Sequence, residues 1–240
     1  MFASRTDPAE HRRHGQSERE EAAVTEHAHT DDPRPAGGEE FWDDRYRESD
    51  RIWSGNANAV LVREVRGLAP GRALDLGCGE GADAVWLARQ GWQVTGTDIS
   101  GVALGRAAGH AAEAGVGDRV SWQRHDFARS FPEGEFDLVS ACFLHTYGEF
   151  PRPRVLRTAA AAVAPGGVLL VVGHAGGPSW NPDAHPGLVL PTPGEVLEQL
   201  ELAEGAWEVL LAEEHVQPMK APDGSAATRP DNVVKVRRLP

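Results

Sequence analysis

Residues 74–81, LDLGCGEG, constrain the fold of this chain more than any other stretch. Leu74, Asp75 and Leu76 extend an apolar start at Ala73, as in a buried strand, and Gly77, Gly79 and Gly81 then remove side chains where the backbone must turn sharply. Residues 83–90 carry Val85, Trp86 and Ala88 in a pattern that suits a packed helix. Strand, glycine-rich turn and helix in this order form the unit at which open α/β sheets bind nucleotide-type ligands, at the carboxyl end of the first strand.

Several readings of the glycines stay open. Gly77, Gly79 and Ala82 fit the G-x-G-x-x-G/A spacing of a dinucleotide fingerprint, and a tight turn can also bind nothing. Charge bears on the choice. Bare N–H groups and the macrodipole draw a pyrophosphate to a helix N-terminus, yet Asp75 precedes this turn and Glu80 lies within it. Two carboxylates disfavour phosphate and suit a ligand with an ammonium and a sulfonium centre. In its E/D-x-G-x-G form the stretch resembles the first motif of the class I S-adenosylmethionine (AdoMet)-dependent methyltransferases. That resemblance, running from about Phe41 to the C-terminus, implies a Rossmann-like α/β fold. Its sheet is mostly parallel and seven-stranded, with helices on both faces and a C-terminal antiparallel β-hairpin, and its cofactor is AdoMet.

Residues 1–38 hold few large apolar side chains beyond Phe2 and Val24, so a solvated, disordered tail is expected there. Its histidines (His11, His14, His27, His29) lack the spacing of a metal site. The folded domain is expected over 39–240, with a helical cap over 39–70. Residues 41–47, FWDDRYR, place Phe41, Trp42, Arg45 and Tyr46 on one helical face and leave Asp43, Asp44 and Arg47 more exposed. The polar turn 53–58, WSGNAN, precedes a second stripe of Val60, Leu61, Val65 and Leu68. These two segments resemble the N-terminal part of the thiopurine and tellurite-resistance methyltransferase group, where such a segment folds over the cofactor. A helix that only covers the sheet edge is the alternative.

Downstream, residues 93–97 read as a second strand ending at Asp98, which can accept hydrogen bonds from both ribose hydroxyls of an adenosine. Ser100 is the better cap for a helix over 102–114. A third strand over 120–124 leads to Asp126 and Phe127, which the resemblance places at the adenine; an ordinary loop acid is the alternative. Residues 136–145 form a mostly apolar fourth strand. An Ala-rich helix over 152–164 is expected to end at Pro165-Gly166-Gly167, followed by a fifth strand over 168–172. Thr192 caps a helix over 194–202, and strands over 207–212 and 232–236 flank the turn signal Asp223-Gly224. The resemblance implies cofactor contacts from Trp53, Asp75, Gly77, Cys78, Gly79, Gly81, Asp98, Ile99, Asp126, Phe127, Ala141 and Cys142.

Methyl transfer from a sulfonium is an in-line displacement that alignment and water exclusion can promote. A thiolate acceptor needs no base, whereas an alcohol, phenol or amine benefits from one. His145 and His174, each just past one of two strands that the fold sets side by side, are the candidate catalytic residues, with Tyr147, Glu149, Trp180 and His185 as lining. Cys78 and Cys142 read as small buried hydrophobes, and no metal is expected. A net charge of −12 without a basic cluster disfavours nucleic acid. The absence of a long apolar run disfavours a membrane segment, and a charged N-terminus does not read as a signal peptide. Two cysteines without disulfide or zinc spacing fit a reducing, cytoplasmic setting. The expected activity is methylation of a small-molecule acceptor, thiols and other soft nucleophiles included. The competing classes are an NAD-type oxidoreductase and a non-catalytic AdoMet-binding protein, and the oligomeric state is left open.

Overall fold

The computed structural model describes residues 37–146, 148–185 and 187–240, so the tail through residue 36, with its histidines, and Tyr147 lie outside the described residues. The order is α1 (Glu39–Arg47), α2 (Ala59–Val65), β1 (Arg72–Leu76), α3 (Ala82–Arg89), β2 (Gln93–Asp98), α4 (Gly101–Glu113), β3 (Val120–Arg124), β4 (Phe136–Cys142), α5 (Arg152–Ala161), β5 (Val163–His174), α6 (Pro193–Leu200), β6 (Trp207–Lys220) and β7 (Ala226–Arg238). The seven strands form one sheet in the order β3-β2-β1-β4-β5-β7-β6. β1 to β5 are parallel, and β7 runs antiparallel between β5 and β6. The strand order reverses at β1, which has β2 on one side and β4 on the other, and this switch point is where such sheets open a ligand crevice.

Alternation along β1 sends Ala73 toward α2 and α3, and Leu74 and Leu76 toward α5 and α6. Both leucines are fully buried, each contributing about 1.5–3 kcal/mol of transfer free energy. Asp75, between them, is buried as well, so this strand carries a carboxylate into the core at the start of the glycine turn. Among the described residues no helix is long and apolar enough to cross a membrane.

Three expectations change. Pro165, Gly166 and Gly167 do not end a helix; α5 stops at Ala161 and they lie within β5. Pairing with β4 jumps from Phe136↔Val163 to Leu138↔Val168, so the extra residues leave the ladder as a bulge, with Gly166 at φ 80°. Asp43 is not on the exposed side of α1: its Oδ1 accepts from the Ser100 hydroxyl at 2.6 Å and from the Val102 amide at 3.2 Å, capping α4 from another helix.

The hairpin is also longer than expected, at 14 residues in β6 and 13 in β7. Its outer part, from Val216↔Pro230 to Lys220↔Ala226, continues past the last β5–β7 pair, His174↔Asp231. Pro218 and Pro230 hide these segments from a strand reading, because proline cannot donate to a ladder. The loop after β5 lies along this arm: the Ala175 amide donates to the Pro230 carbonyl and the Ser179 amide to that of Thr228.

Candidate functional site

The glycine turn is held by its own amides. Those of Gly77 and Cys78 donate to the Thr97 carbonyl, that of Gly79 to Asp98 Oδ2 at 2.9 Å, and that of Gly81 to the Cys78 carbonyl. Gly77, Gly79 and Gly81 sit at φ 69°, 51° and 83°, where side chains are strained. A Cβ would meet Leu144 at 2.7 Å from Gly77, Tyr46 Oη at 2.9 Å from Gly79, and Ala107 and Trp122 at 2.8 Å from Gly81. The turn is thus a close-packed cradle in which the amides of Gly77, Cys78, Gly79 and Gly81 are spent within the protein.

The acids beside it divide by role. Asp75 accepts from the Ser140 hydroxyl at 2.9 Å on Oδ1, while its buried Oδ2 has no hydrogen-bond partner. Burial, reinforced by Asp83, pushes its pKa up to about 8. An ammonium group would satisfy that oxygen, so this side chain fits the amino-acid end of AdoMet. Asp98, at the end of β2, accepts from the Gly79 amide on one oxygen and from the Ser100 amide on the other.

Glu80 departs from the sequence reading. It is buried, pairs with Arg106 at 2.8 Å, and accepts from the amides of Ile52 at 3.3 Å and Trp53 at 3.2 Å. Its charge is neutralised within the protein, so it offers no anionic surface to a ligand and instead fastens the N-terminal segment to the turn. Asp83 adds a second fastening by accepting from the Asn58 amide at 2.6 Å. The indole N–H of Trp53 donates to Tyr46 Oη at 3.1 Å above Gly79. Both belong to the segment expected to fold over the cofactor, and Tyr46, not Trp53, is the buried member of the pair.

The remaining expected contacts are placed less specifically. Ile99 is half-buried after β2. Asp126 accepts from the Ala128 amide in its own turn and pairs with Arg129 at 3.4 Å, and Phe127 packs on Phe131 and the α5–α6 core. The Ala141 side chain belongs to that same core, so only its backbone could meet a ligand. Burial pushes the thiols of Cys78 and Cys142 up, which keeps both protonated and unreactive.

At the carboxyl edge of β4 and β5 the rings of His145, His174 and His185 stack, with centroids 5.3 Å and 4.4 Å apart, and Phe143 leans on His174 at 4.5 Å. Phe143 has φ 54°, an uncommon conformation for a non-glycine residue and one often found at functional sites. The two candidate histidines differ. His145 Nε2 accepts the backbone N–H of His174 at 3.1 Å, and burial lowers its pKa to about 3. His174 Nδ1 lies 3.3 Å from Asp231 Oδ1, and Arg229 holds Asp231 through both oxygens. Asp231 faces His174 across the β5–β7 pair; it falls one residue outside the strand read from sequence, which explains its omission. Trp180 and Glu149 remain exposed. Among the described residues no cluster of His, Cys, Asp or Glu is arranged to hold a metal.

Comparison with known proteins bears on the fold and the cofactor. Residues 73–167 match the family model described as a methyltransferase domain. The chain is 35% identical over 136 residues to 27-O-demethylrifamycin SV methyltransferase of Amycolatopsis mediterranei (strain S699), covering 54% of this chain and 47% of that protein. It spans less than half the length of the curated relatives it matches. Two solved structures share the fold. TehB from Haemophilus influenzae has a TM-score of 0.62 at 17% identity, over 84% of this chain and 67% of that one. A structure from work on conversion of a disulfide bond into a thioacetal group during echinomycin biosynthesis has a TM-score of 0.63 at 24% identity, over 84% and 91%. Residues 73–167 therefore match a methyltransferase domain, on a fold that these solved structures share, with AdoMet as the cofactor.

Proposed function

We propose that the protein transfers the methyl group of AdoMet to a small-molecule acceptor held at the carboxyl edge of β4 and β5, with His174 as general base. The observation that carries this reading is the 3.3 Å approach of His174 Nδ1 to the buried Asp231. A carboxylate there accepts the Nδ1 proton and leaves Nε2 as the basic nitrogen. Stacking by Phe143 and His185 covers the ring faces and leaves its nitrogen edges to act. Bound AdoMet supplies an electrophilic methyl on a sulfonium that loses its charge in the reaction. Around it, Asp75 would meet the ammonium group, Asp98 the ribose diol, and the α1–α2 segment would exclude water.

An oriented base serves an acceptor that arrives with its proton, which ranks hydroxyls ahead of thiolates and other soft anions. Relatives named as O-methyltransferases point the same way. The N-terminal segment and the TehB likeness support placing the chain near the thiopurine and tellurite-resistance group. The acidic net charge argues against a nucleic-acid acceptor, and two protonated free thiols suit the cytoplasm. Incubation with methyl-labelled AdoMet and a panel of phenols, alcohols, amines and thiols tests the proposal. Label should pass to a hydroxyl compound, and His174→Ala should abolish transfer while AdoMet still binds. Binding without transfer to any class favours a non-catalytic AdoMet protein, and tighter binding of NAD than of AdoMet overturns the cofactor reading.

A further inference from the structure

Tyr46 is 4% exposed, and its hydroxyl lies over Gly79. Its oxygen accepts from Trp53, whose indole nitrogen can only donate, so the phenolic proton must go elsewhere. No described residue accepts it. The Asp98 carboxylate lies close enough to influence the phenol but forms no hydrogen bond with it. A buried donor without an acceptor is costly, and such a group at a ligand cradle marks the place of a ligand atom.

The surroundings specify which atom. An amino-acid ligand brings both an ammonium and a carboxylate to the turn. The acids Asp75 and Asp98 suit the first and repel the second. The amides of Gly77, Cys78, Gly79 and Gly81 are all engaged within the protein, and Arg106, the cation that reaches the turn, is paired with Glu80. A carboxylate arriving here therefore finds none of those four amides free and, among the described residues at the turn, no unpaired arginine, while the Tyr46 hydroxyl beside Gly79 still has a proton to give. We propose that the Tyr46 hydroxyl binds the carboxylate of the methionyl end of AdoMet, so that the α1 segment reads whether the ligand carries its amino-acid terminus intact. The inference rests on the AdoMet reading above and adds a positioning residue to it. Trp53 orients the phenol by occupying its acceptor side, which turns the O–H away from the indole and toward the turn.

The test is calorimetry on the full chain with AdoMet and with decarboxylated AdoMet, which keeps the sulfonium, the amine and the adenosine but lacks the carboxylate. Tyr46→Phe, which preserves the packed ring, should weaken AdoMet roughly tenfold or more, the worth of a hydrogen bond to a charged group, and leave decarboxylated AdoMet unchanged. The wild-type preference for AdoMet over the decarboxylated compound should shrink by the same factor. Trp53→Phe leaves the phenol in place and should retain most of that preference. Equal weakening of both ligands by Tyr46→Phe, or no weakening of AdoMet, overturns the assignment while the cofactor reading stands. A wild-type chain that binds neither ligand overturns both.

Discussion

His145 Nε2 accepts the main-chain N–H of His174 at 3.1 Å, so the ring of one histidine fixes the backbone that carries the other. With that nitrogen spent, the proposed function gives His145 a positioning role and leaves the base to His174, joined to Asp231. His145→Phe should leave a buried N–H unsatisfied and cost about 1–3 kcal/mol in urea unfolding. His174→Ala should change stability less and lower kcat/KM by roughly 10²–10⁴-fold.

The pH dependence follows from the same pair. Burial, the leading cause, lowers the pKa of His174, so the base is neutral at pH 7 and becomes protonated only below the ordinary imidazole value of about 6.5. Activity should hold down to that value and fall at more acidic pH. His145, with a pKa lowered to about 3, should show no imidazole titration by NMR between pH 5 and 8.

Asp75, with its pKa raised to about 8, is mainly protonated in the free protein at pH 7. A ligand ammonium favours the ionised form, so AdoMet binding should release up to about one proton near neutrality. Calorimetry in buffers of different ionisation enthalpy measures this release. Asp75→Asn should abolish it; unchanged release would place the proton on another group, such as the neighbouring Asp83.

Glu80→Ala removes the partner of Arg106 and of the Ile52 and Trp53 amides. Loss of about 2–3 kcal/mol is expected, because a partly buried arginine loses its counter-charge. Limited proteolysis should then cut within residues 48–58 before the rest of the domain. Truncation of residues 1–36 should leave AdoMet affinity intact, whereas truncation through residue 58 should weaken it.

Two glycines should respond in opposite directions. Gly81→Ala forces a side chain to φ 83° and to 2.8 Å from Ala107, and should destabilise by about 1–3 kcal/mol. Gly105, exposed in α4 with open space around its missing Cβ, should gain about 0.4–1 kcal/mol as alanine. Thermal unfolding of the two variants checks both signs.

Local chemistry determined much of this protein. Leu74 to Gly81 could only be a strand entering a tight turn, since buried leucines and glycines at positive φ leave few alternatives. Ser100 and Thr192 marked helix starts because a cap is a bond between near neighbours in sequence. Tertiary structure decided what depends on distant partners. Glu80 looked like a ligand-facing acid until Arg106 and the Trp53 amide came to it from other segments, and Asp43 looked exposed until α4 presented its amino end. Asp231 could join His174 only once β7 was inserted beside β5 with that register. The length of the hairpin was hidden by its prolines and by its weak apolar alternation, because its outer half is held by its own ladder and by the loop after β5. Such long-range pairings leave no periodic signal at either partner's position.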